Sequence, residues 1–366
     1  MNKFFFILIW CLMMASEAES QSGIVSQSRM NEVYEEVKTP YKYGLVMLPP
    51  GVGKKIDCPT IYRVGKNWYM TYIVFDGNGY ETMLATSKDL LHWKNLGTQM
   101  SFTNDGWDAR QKAGYNALVN TQWGGDYGLQ KYDGKYWMSY IGGSSAGYEP
   151  EPLSIGMAYS SKKPISAFEW QRLKSPVLSS SDPDVRWWEN RNKLFKSYVI
   201  EDKKKHTGHR FIMYYNAVGD SLTNNKATRW YERIGMAVSD DMVRWKRFQK
   251  DPVLHHSRGI SGDPQIQKMG DLWVMFYFGA FWKARETEAF NRFACSYDLI
   301  NWTDWNGADL IRSSIDIDKK YAHKSFVLKH DGVVYHFYCA VDEKDNRGIA
   351  LATSVEKGQS QLYFKK

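Results

Sequence analysis

The sequence predicts an all-β protein, a five-bladed β-propeller with a short helical extension at its N-terminal end. Two observations lead to this fold. Five self-similar units fill the chain, and each unit alternates aromatic and aliphatic strands with Gly-containing turns. The 366 residues include 15 Trp, 24 Tyr and 17 Phe, a composition that favours strands. Because a lone small sheet leaves both faces unprotected, radial packing of five sheets is the expected solution.

The units are recognised by a central aromatic strand whose aligned positions are 70, 138, 213, 275 and 336, a spacing of 61 to 75 residues. A polar corner, Ser-x-Asp-Leu-x-x-Trp, closes the first unit at Ser87–Trp93 and recurs with small changes. We interpret this corner as structural, because Asp caps turns and Trp fills the space between blades. A β-sandwich or a chain of sheet domains is the alternative, and neither requires such a regular corner.

The basic charge does not predict nucleic-acid binding. The formal net charge is +8 and the isoelectric point is near 9.0, but Lys and Arg are scattered among acidic residues. The longest basic run, Lys203–Lys205, follows Glu201 and Asp202 and is typical of a solvated loop.

The N-terminal segment predicts export. Residues 1–18 have the form of a secretory signal peptide, with Lys3, an apolar run and a small-residue cleavage site. Cys11 within that run leaves a lipoprotein open. No later stretch is apolar for long enough to span a membrane. We therefore expect a periplasmic or extracellular protein, with an N-terminal extension at 19–45 and a catalytic propeller at 46–366.

Two smaller features complete the organisation. Residues 30–37 predict a short helix in the extension, which leaves open a cap on the propeller or a homodimer contact. After the predicted signal, Cys58, Cys295 and Cys339 remain, an odd number without metal-ligand spacing. We expect three buried free thiols rather than a disulfide framework.

Ionisable residues near the start of each unit are the candidate site residues, because the first strand of a propeller blade lines the central channel. Counting back from the central strand, Asp57, Asp126, Asp263 and His323 occupy nearly one register. In the third unit, Asp184 is the candidate. Each Asp has an alternative role as a turn residue, and a lone His is often structural.

The blade pattern resembles the five-bladed propeller glycoside hydrolases of families 43, 32, 68, 130 and 117. It includes Gly-Lys-x-Tyr/Trp-x-Met-x-Tyr and Ala-Thr-Ser-x-Asp-Leu-x-x-Trp. The family 43 pattern implies Asp57 as the base that activates water, and leaves Glu189 and Glu201 open as the acid. The fifth-unit segment 322–325 is more similar to family 117, which implies His323 as the acid and Asp263 as the partner that keeps it protonated.

The expected function is hydrolysis of a glycosidic bond in a short oligosaccharide, by inversion and from the chain end. An inverting site needs about 6.5–9.5 Å between its acid and base, and a propeller channel provides such a gap. No cofactor is expected, although the resemblance leaves open a structural calcium in the channel. A non-catalytic sugar-binding propeller and a phosphate-dependent phosphorylase remain alternatives. Besides Asp126, the expected substrate-binding residues are Trp107, Trp123, Trp187, Trp282, Arg186 and Lys324.

Overall fold

The strands pair in five antiparallel groups along the chain, an arrangement consistent with a propeller. The computed structural model describes residues 23–219 and 231–364. In these ranges the first strand of each group contacts a first strand of a neighbouring group, so that these strands lie at the centre of the fold. The first two groups are β2 (Lys55–Val64), β3 (Asn67–Phe75), β4 (Tyr80–Ser87) and β5 (Lys94–Met100), then β6 (Gln111–Asn116), β7 (Tyr136–Gly143), β8 (Ser154–Ser160) and β9 (Gln171–Arg172).

The third and fourth groups repeat this order and are joined by a short parallel pairing between Tyr231 and Gly259. A similar pairing between Tyr80 and Gln111 joins the first two groups. The strands are β10 (Leu194–Glu201), β11 (Phe211–Val218), β12 (Tyr231–Ser239) and β13 (Lys246–Arg247), then β14 (Gly259–Met269), β15 (Leu272–Trp282), β16 (Arg285–Ser296) and β17 (Thr303–Asp304).

The fifth group contains strands from both ends of the described chain. Strand β1 (Tyr41–Met47) runs antiparallel to β20 (Arg347–Thr353), which continues the hairpin of β18 (Tyr321–His330) and β19 (Val333–Val341). A 3₁₀ turn at Asp316–Asp318 precedes β18. The domain boundary expected at residue 46 falls inside β1, because this strand belongs to the last sheet.

A short helix, α1 (Gln27–Val37), confirms the helix expected at 30–37 and begins three residues earlier. Ser26 caps it by accepting a hydrogen bond from the backbone of Arg29. Met30, Val33 and Val37 are buried against β15, β16 and β18. The helix therefore covers a sheet of its own chain, and the homodimer stays a prediction.

The polar corner is built in the same way in the first, third and fourth groups. In the first, Ser87 Oγ accepts from the backbone of Leu90, and Asp89 Oδ1 accepts from the backbones of Leu91 and His92. Trp93 Nε1 donates to the Leu90 carbonyl. Every polar atom of the corner thus serves the turn, in agreement with a structural role.

The buried thiols agree with the sequence analysis. Cys58, Cys295 and Cys339 are free and buried. No helix in the described part of the chain is long and apolar enough to cross a membrane. The signal peptide expected at 1–18 lies outside the described residues.

Candidate active site

An irregularity recurs in the first strand of four groups, at the end where each strand enters the centre of the fold. The antiparallel ladder skips residues between Asp57 and Thr60 in β2, and between Gly262 and Gln265 in β14. Equivalent skips lie within 194–197 of β10 and 323–326 of β18. Such a bulge leaves residues unpaired and re-aims their side chains. We call these four positions the inner bulges.

Three inner bulges place a residue other than Gly in the left-handed region. The φ angles are +50° for Cys58, +55° for Asp263 and +55° for Lys324. A residue with a side chain gives up about 1–2 kcal/mol of stability in this conformation. Strained residues of this kind cluster at functional sites, where the surrounding structure holds them.

The inner bulges open into a cavity of about 260 Å³. Its apolar wall includes Ile73, Ile141, Phe195 and Phe278. Its mouth is marked by Tyr148, which is 47% exposed. A small cavity with an apolar wall and several convergent polar groups is the usual form of a small-molecule site. The polar and charged lining consists of Tyr80, Tyr115, Tyr148, Glu149, Lys196, Asn216, Glu232, Asp263, Tyr321, His323, Lys324 and Arg347.

Asp57 lies behind this lining and does not line the cavity itself. Its Oδ2 is 2.9 Å from Lys324 Nζ and 3.4 Å from an Arg347 nitrogen. Burial alone would raise the pKa of Asp57, but the positive charges of Lys324 and Arg347 hold it well below its usual range. Asp57 is therefore a buried counter-ion for two cations that do face the cavity.

Burial lowers the pKa of His323 to about 3, although the neighbouring Asp57 opposes this effect. The ring is 7% exposed and its Nδ1 lies 3.4 Å from the Cys339 carbonyl. His323 is therefore neutral at physiological pH.

Glu232 has the perturbed carboxyl group expected of a general acid. Burial raises its pKa to about 8, and the negative charges of Glu149 and then Asp263 raise it further. The side chain is held by Asn216, whose Nδ2 donates to Glu232 Oε2 at 2.8 Å. Glu232 stands at the start of β12, where it is protonated at neutral pH.

Glu149 approaches the cavity from a different group, on the loop between β7 and β8. Tyr80 donates its hydroxyl to Glu149 Oε1 at 2.8 Å. The loop is fixed by Gln111, whose side-chain amide donates to the carbonyls of Ser145 and Gly147. Two carboxyl groups from separate sheets thus meet in one small cavity, and only Glu232 has a raised pKa.

Comparison with solved structures identifies the family. A structure described as a glycoside hydrolase shares 50% sequence identity with the chain, with a TM-score of 0.89, and the match covers 93% of this chain and 99% of the other. The chain belongs to the glycoside hydrolases. A second structure, described as a complex of BT0996 and RGII, matches with the same identity, coverage and TM-score.

More distant structures share the fold of this glycoside hydrolase. A thermostable family-43 glycoside hydrolase has 16% identity and a TM-score of 0.57, with 85% of this chain and 93% of that chain covered. No protein-family model and no curated protein matches the chain. The predicted resemblance to propeller-type glycoside hydrolases is confirmed.

The hydrolase brings together three of its sequence-predicted residues. Asp263, His323 and Lys324 line the cavity, as their register in the first strands led us to expect. Their expected relations need correction, because the carboxylate whose charge acts most on His323 is Asp57. Asp263 instead accepts from the Cys58 thiol at 3.2 Å and lies 3.9 Å from Lys196 Nζ.

Asp184, Arg186 and Asp126 lie outside the cavity, which corrects their expected positions. Asp184 pairs with Arg247 at 2.8 Å. Arg186 donates to backbone carbonyls, including that of Gln249. Asp126 occupies an exposed turn and accepts from the side chain of Asn120 and the backbone of Gly128. All three are therefore structural residues.

The four tryptophans expected to stack on sugar also lie outside the cavity. Trp107 stacks on Tyr140, and Trp123 donates to Glu36 of helix α1. Trp187 donates to Asp251, while Trp282 stacks on His256. Tyrosines and phenylalanines supply the aromatic lining instead.

The two alternative acids are also placed elsewhere. Glu189 is buried beside Arg247 and Tyr215. Glu201 is at the far end of β10. Sequence reasoning missed Glu149 and Glu232 because it searched only the first strand of each unit. A signal for Glu149 was present, since it lies in the insertion 142–152, which we expect from its length to wall off one end of a groove.

The donor set near Asp57 does not suit calcium. Ligand atoms of Asp57, His323 and Cys339 lie within 4.8 Å of one another, the sole such group among the described residues. Calcium prefers six to eight oxygen ligands, whereas this group offers one carboxylate, an imidazole and a thiol. Lys324 and Arg347 already neutralise the carboxylate.

Proposed function

We propose that the enzyme removes the terminal sugar of a short, neutral oligosaccharide, with Glu232 as the general acid and Glu149 as the general base. One observation carries this proposal: two carboxyl groups share a small cavity, and the pKa of one is raised to about 8 by burial and by the charge of the other. A pair of carboxyl groups with separated pKa values is the usual catalytic apparatus of glycosidases.

In the proposed reaction, Glu149 takes a proton from water as the water oxygen attacks the anomeric carbon. The bond between that carbon and the leaving oxygen breaks, and Glu232 gives its proton to the leaving oxygen. One water is consumed, and the configuration of the anomeric carbon is inverted. These roles replace those that the sequence analysis gave to Asp57 and His323, because Asp57 does not face the cavity and His323 carries no proton to donate at neutral pH.

A neutral sugar is favoured by the charge balance around the cavity. The cations Lys196, Lys324 and Arg347 face the carboxylates Asp57 and Asp263 in close pairs, at 2.9 Å for Lys324 and 3.9 Å for Lys196. Glu149 adds a further negative charge. No excess of positive charge remains to attract an acidic sugar.

Removal of a terminal sugar is supported by the size of the cavity. A volume of about 260 Å³ lies below the roughly 300–1,000 Å³ typical of sites for drug-sized ligands, and suits a single sugar ring. The loop that carries Glu149 also carries Tyr148, which contacts Phe75 and Tyr80 and narrows the mouth.

The finer structural and cellular features are proposals of the same kind. We propose that the five antiparallel groups are the blades of a five-bladed propeller, closed by β1 on β20. The apolar N-terminal run supports export to the periplasm or beyond. The two carboxyl groups supply both proton transfers without a cofactor, so that treatment with EDTA is expected to leave activity unchanged.

The test compares Glu232→Gln and Glu149→Gln with the wild type and with Glu356→Gln, an exposed control. The first substrate is RGII, chosen because the relative's structure is described as a complex with it, followed by a panel of aryl glycosides of neutral sugars. We expect each cavity variant to lose about 10²–10⁴-fold in kcat/KM on natural linkages. The loss in Glu232→Gln should be far smaller on 4-nitrophenyl glycosides, whose leaving group needs no proton.

The pH profile and the product anomer complete the test. The wild-type activity should fall as pH rises through about 8, because Glu232 must be protonated to act. Proton NMR of the first product should show inversion. Unchanged activity in both cavity variants would remove the proposed pair from the mechanism, and a requirement for added phosphate would identify a phosphorylase.

A further inference from the structure

Two polar groups at the inner end of the cavity have no hydrogen-bond partner among residues 23–219 and 231–364. They are Lys196 Nζ and the Tyr115 hydroxyl. Both residues line the cavity, and each is only 1% exposed. A buried ammonium or hydroxyl without a partner is unfavourable, and this loss is recovered when a ligand supplies the missing partner.

The two groups lie together with a carboxylate. Lys196 Nζ is 3.9 Å from Asp263 Oδ2 and 5.5 Å from the centre of the Tyr115 ring. The separation of 3.9 Å is too long for a direct hydrogen bond. A hydroxyl group between them can accept a hydrogen bond from the ammonium and donate one to the carboxylate. The site therefore offers a donor and an acceptor to one ligand oxygen.

The catalytic acid is linked to the same place. Asn216 Oδ1 accepts from the backbone nitrogen of Asp263 at 3.1 Å, while Asn216 Nδ2 donates to Glu232. A ring held by Lys196 and Asp263 is thus in fixed register with the proposed proton donor. Apolar side chains of Ile73, Ile141 and Phe195 line the rest of the cavity wall and leave little room for a substituent on that hydroxyl.

We propose that Lys196, Asp263 and Tyr115 form the specificity site for the terminal sugar, binding two of its neighbouring hydroxyl groups in unsubstituted form. One hydroxyl bridges Lys196 and Asp263, and the next bonds to Tyr115. Sugars that lack either hydroxyl, or carry it as a methyl ether or an ester, are rejected. This inference rests on the proposed function, because it assigns the ring-binding end of the same cavity.

The test pairs a change in the enzyme with a change in the substrate. Lys196→Met and Tyr115→Phe are assayed on the best 4-nitrophenyl glycoside found in the panel, and on its monodeoxy and mono-O-methyl derivatives. A lost hydrogen bond to a charged group should lower kcat/KM about 10–100-fold for Lys196→Met on the parent glycoside. On the deoxy derivative that removes the same hydroxyl, Lys196→Met should have little further effect.

This double comparison separates binding from structure. A purely structural role for Lys196 would lower activity equally on parent and deoxy glycosides, and would overturn the proposal. Equal hydrolysis of the mono-O-methyl derivatives would do the same. Tyr115→Phe removes one oxygen and preserves the ring, so it provides the same comparison if Lys196→Met does not fold.

The outcomes also distinguish this proposal from the failure of the proposed function. If wild-type enzyme cleaves no glycoside but Glu232→Gln and Glu149→Gln bind the free sugars normally, the catalytic assignment fails. If hydrolysis proceeds and the deoxy derivatives are cleaved as well as the parent, only the specificity site fails. Activity that requires inorganic phosphate would assign Lys196 to a phosphate instead and overturn the hydroxyl proposal.

Discussion

The polar corners and the inner bulges make the same backbone distortion for different ends. Each corner places a residue other than Gly at positive φ, with +67° at Leu90, +62° at Met242 and +67° at Leu299. All three side chains are buried and apolar. The inner bulges adopt similar angles at Cys58, Asp263 and Lys324, where the side chains are a thiol, a carboxylate and an ammonium group.

This contrast separates what the repeat needs from what the site needs. At the corners, the side chain continues the local core, and its chemistry stays constant among the three sheets. At the bulges, the backbone conformation is retained while the chemistry changes from sheet to sheet. Chemical variation at a structurally constant position therefore marks the active site of this repeat protein.

The largest effect should follow from exchanging two inner bulge residues. Asp263→Lys with Lys324→Asp places like charges beside Lys196 and Asp57, which are now 3.9 and 2.9 Å from opposite charges. Breaking a buried ion pair costs about 3–5 kcal/mol at each position. We expect a large decrease in the free energy of unfolding, measured by urea titration.

The matched control exchanges two corner residues, Leu90→Met with Met242→Leu. Swaps that conserve volume cost less than about 1.5 kcal/mol. A bulge exchange as harmless as the corner exchange would show that chemistry at the bulges is interchangeable, and would break the comparison.

A smaller effect should follow from Asp57→Asn, which leaves Lys324 and Arg347 without their carboxylate. We expect the free energy of unfolding at neutral pH to fall by about 3–5 kcal/mol. Because the pKa of Asp57 is lowered in the folded state, its contribution is present above the unfolded pKa of about 4 and is lost as pH falls. The variant should therefore lack this part of the acid-dependent loss of stability.

The same variant tests the base role that the sequence analysis gave to Asp57. A base would be revealed by a large loss of kcat at unchanged stability, measured well below the melting temperature. A buried counter-ion should show the reverse, with stability reduced and the pH limb near 8 still present.

The smallest effect should come from the corners. Asp89→Ala removes the acceptor of two backbone hydrogen bonds and should cost about 1–2 kcal/mol in urea unfolding. Asp241→Ala and Asp298→Ala remove the equivalent acceptors and should cost similar amounts. Costs that differ widely among the three would show that the corners are not equivalent.

The repeats made the fold accessible from sequence, because each strand carries its own aromatic pattern and each corner its own polar signature. Register within the first strands also placed Asp263, His323 and Lys324 correctly at the cavity. Counting back failed at Asp126, since the connection between β6 and β7 is long and the first strand ends at Asn116. A constant hairpin length was the hidden assumption.

The proposed catalytic pair could not be reached by the same count. Glu149 lies on an inserted loop and Glu232 at the start of a third strand, so neither occupies a repeated position. Their proximity depends on how two sheets are oriented around the cavity. The raised pKa of Glu232 likewise depends on burial and on a neighbour from another sheet, and no spacing in the sequence encodes it.

Pairing between β1 and β20 sets the order of events during synthesis. The strand at Tyr41–Met47 leaves the ribosome early, yet its partner at Arg347–Thr353 is among the last segments to be made. Such a distant contact is slow to form and leaves strand edges exposed in the meantime. The cavity draws on residues from Cys58 to Arg347, so catalytic competence should arise only after translation is almost complete.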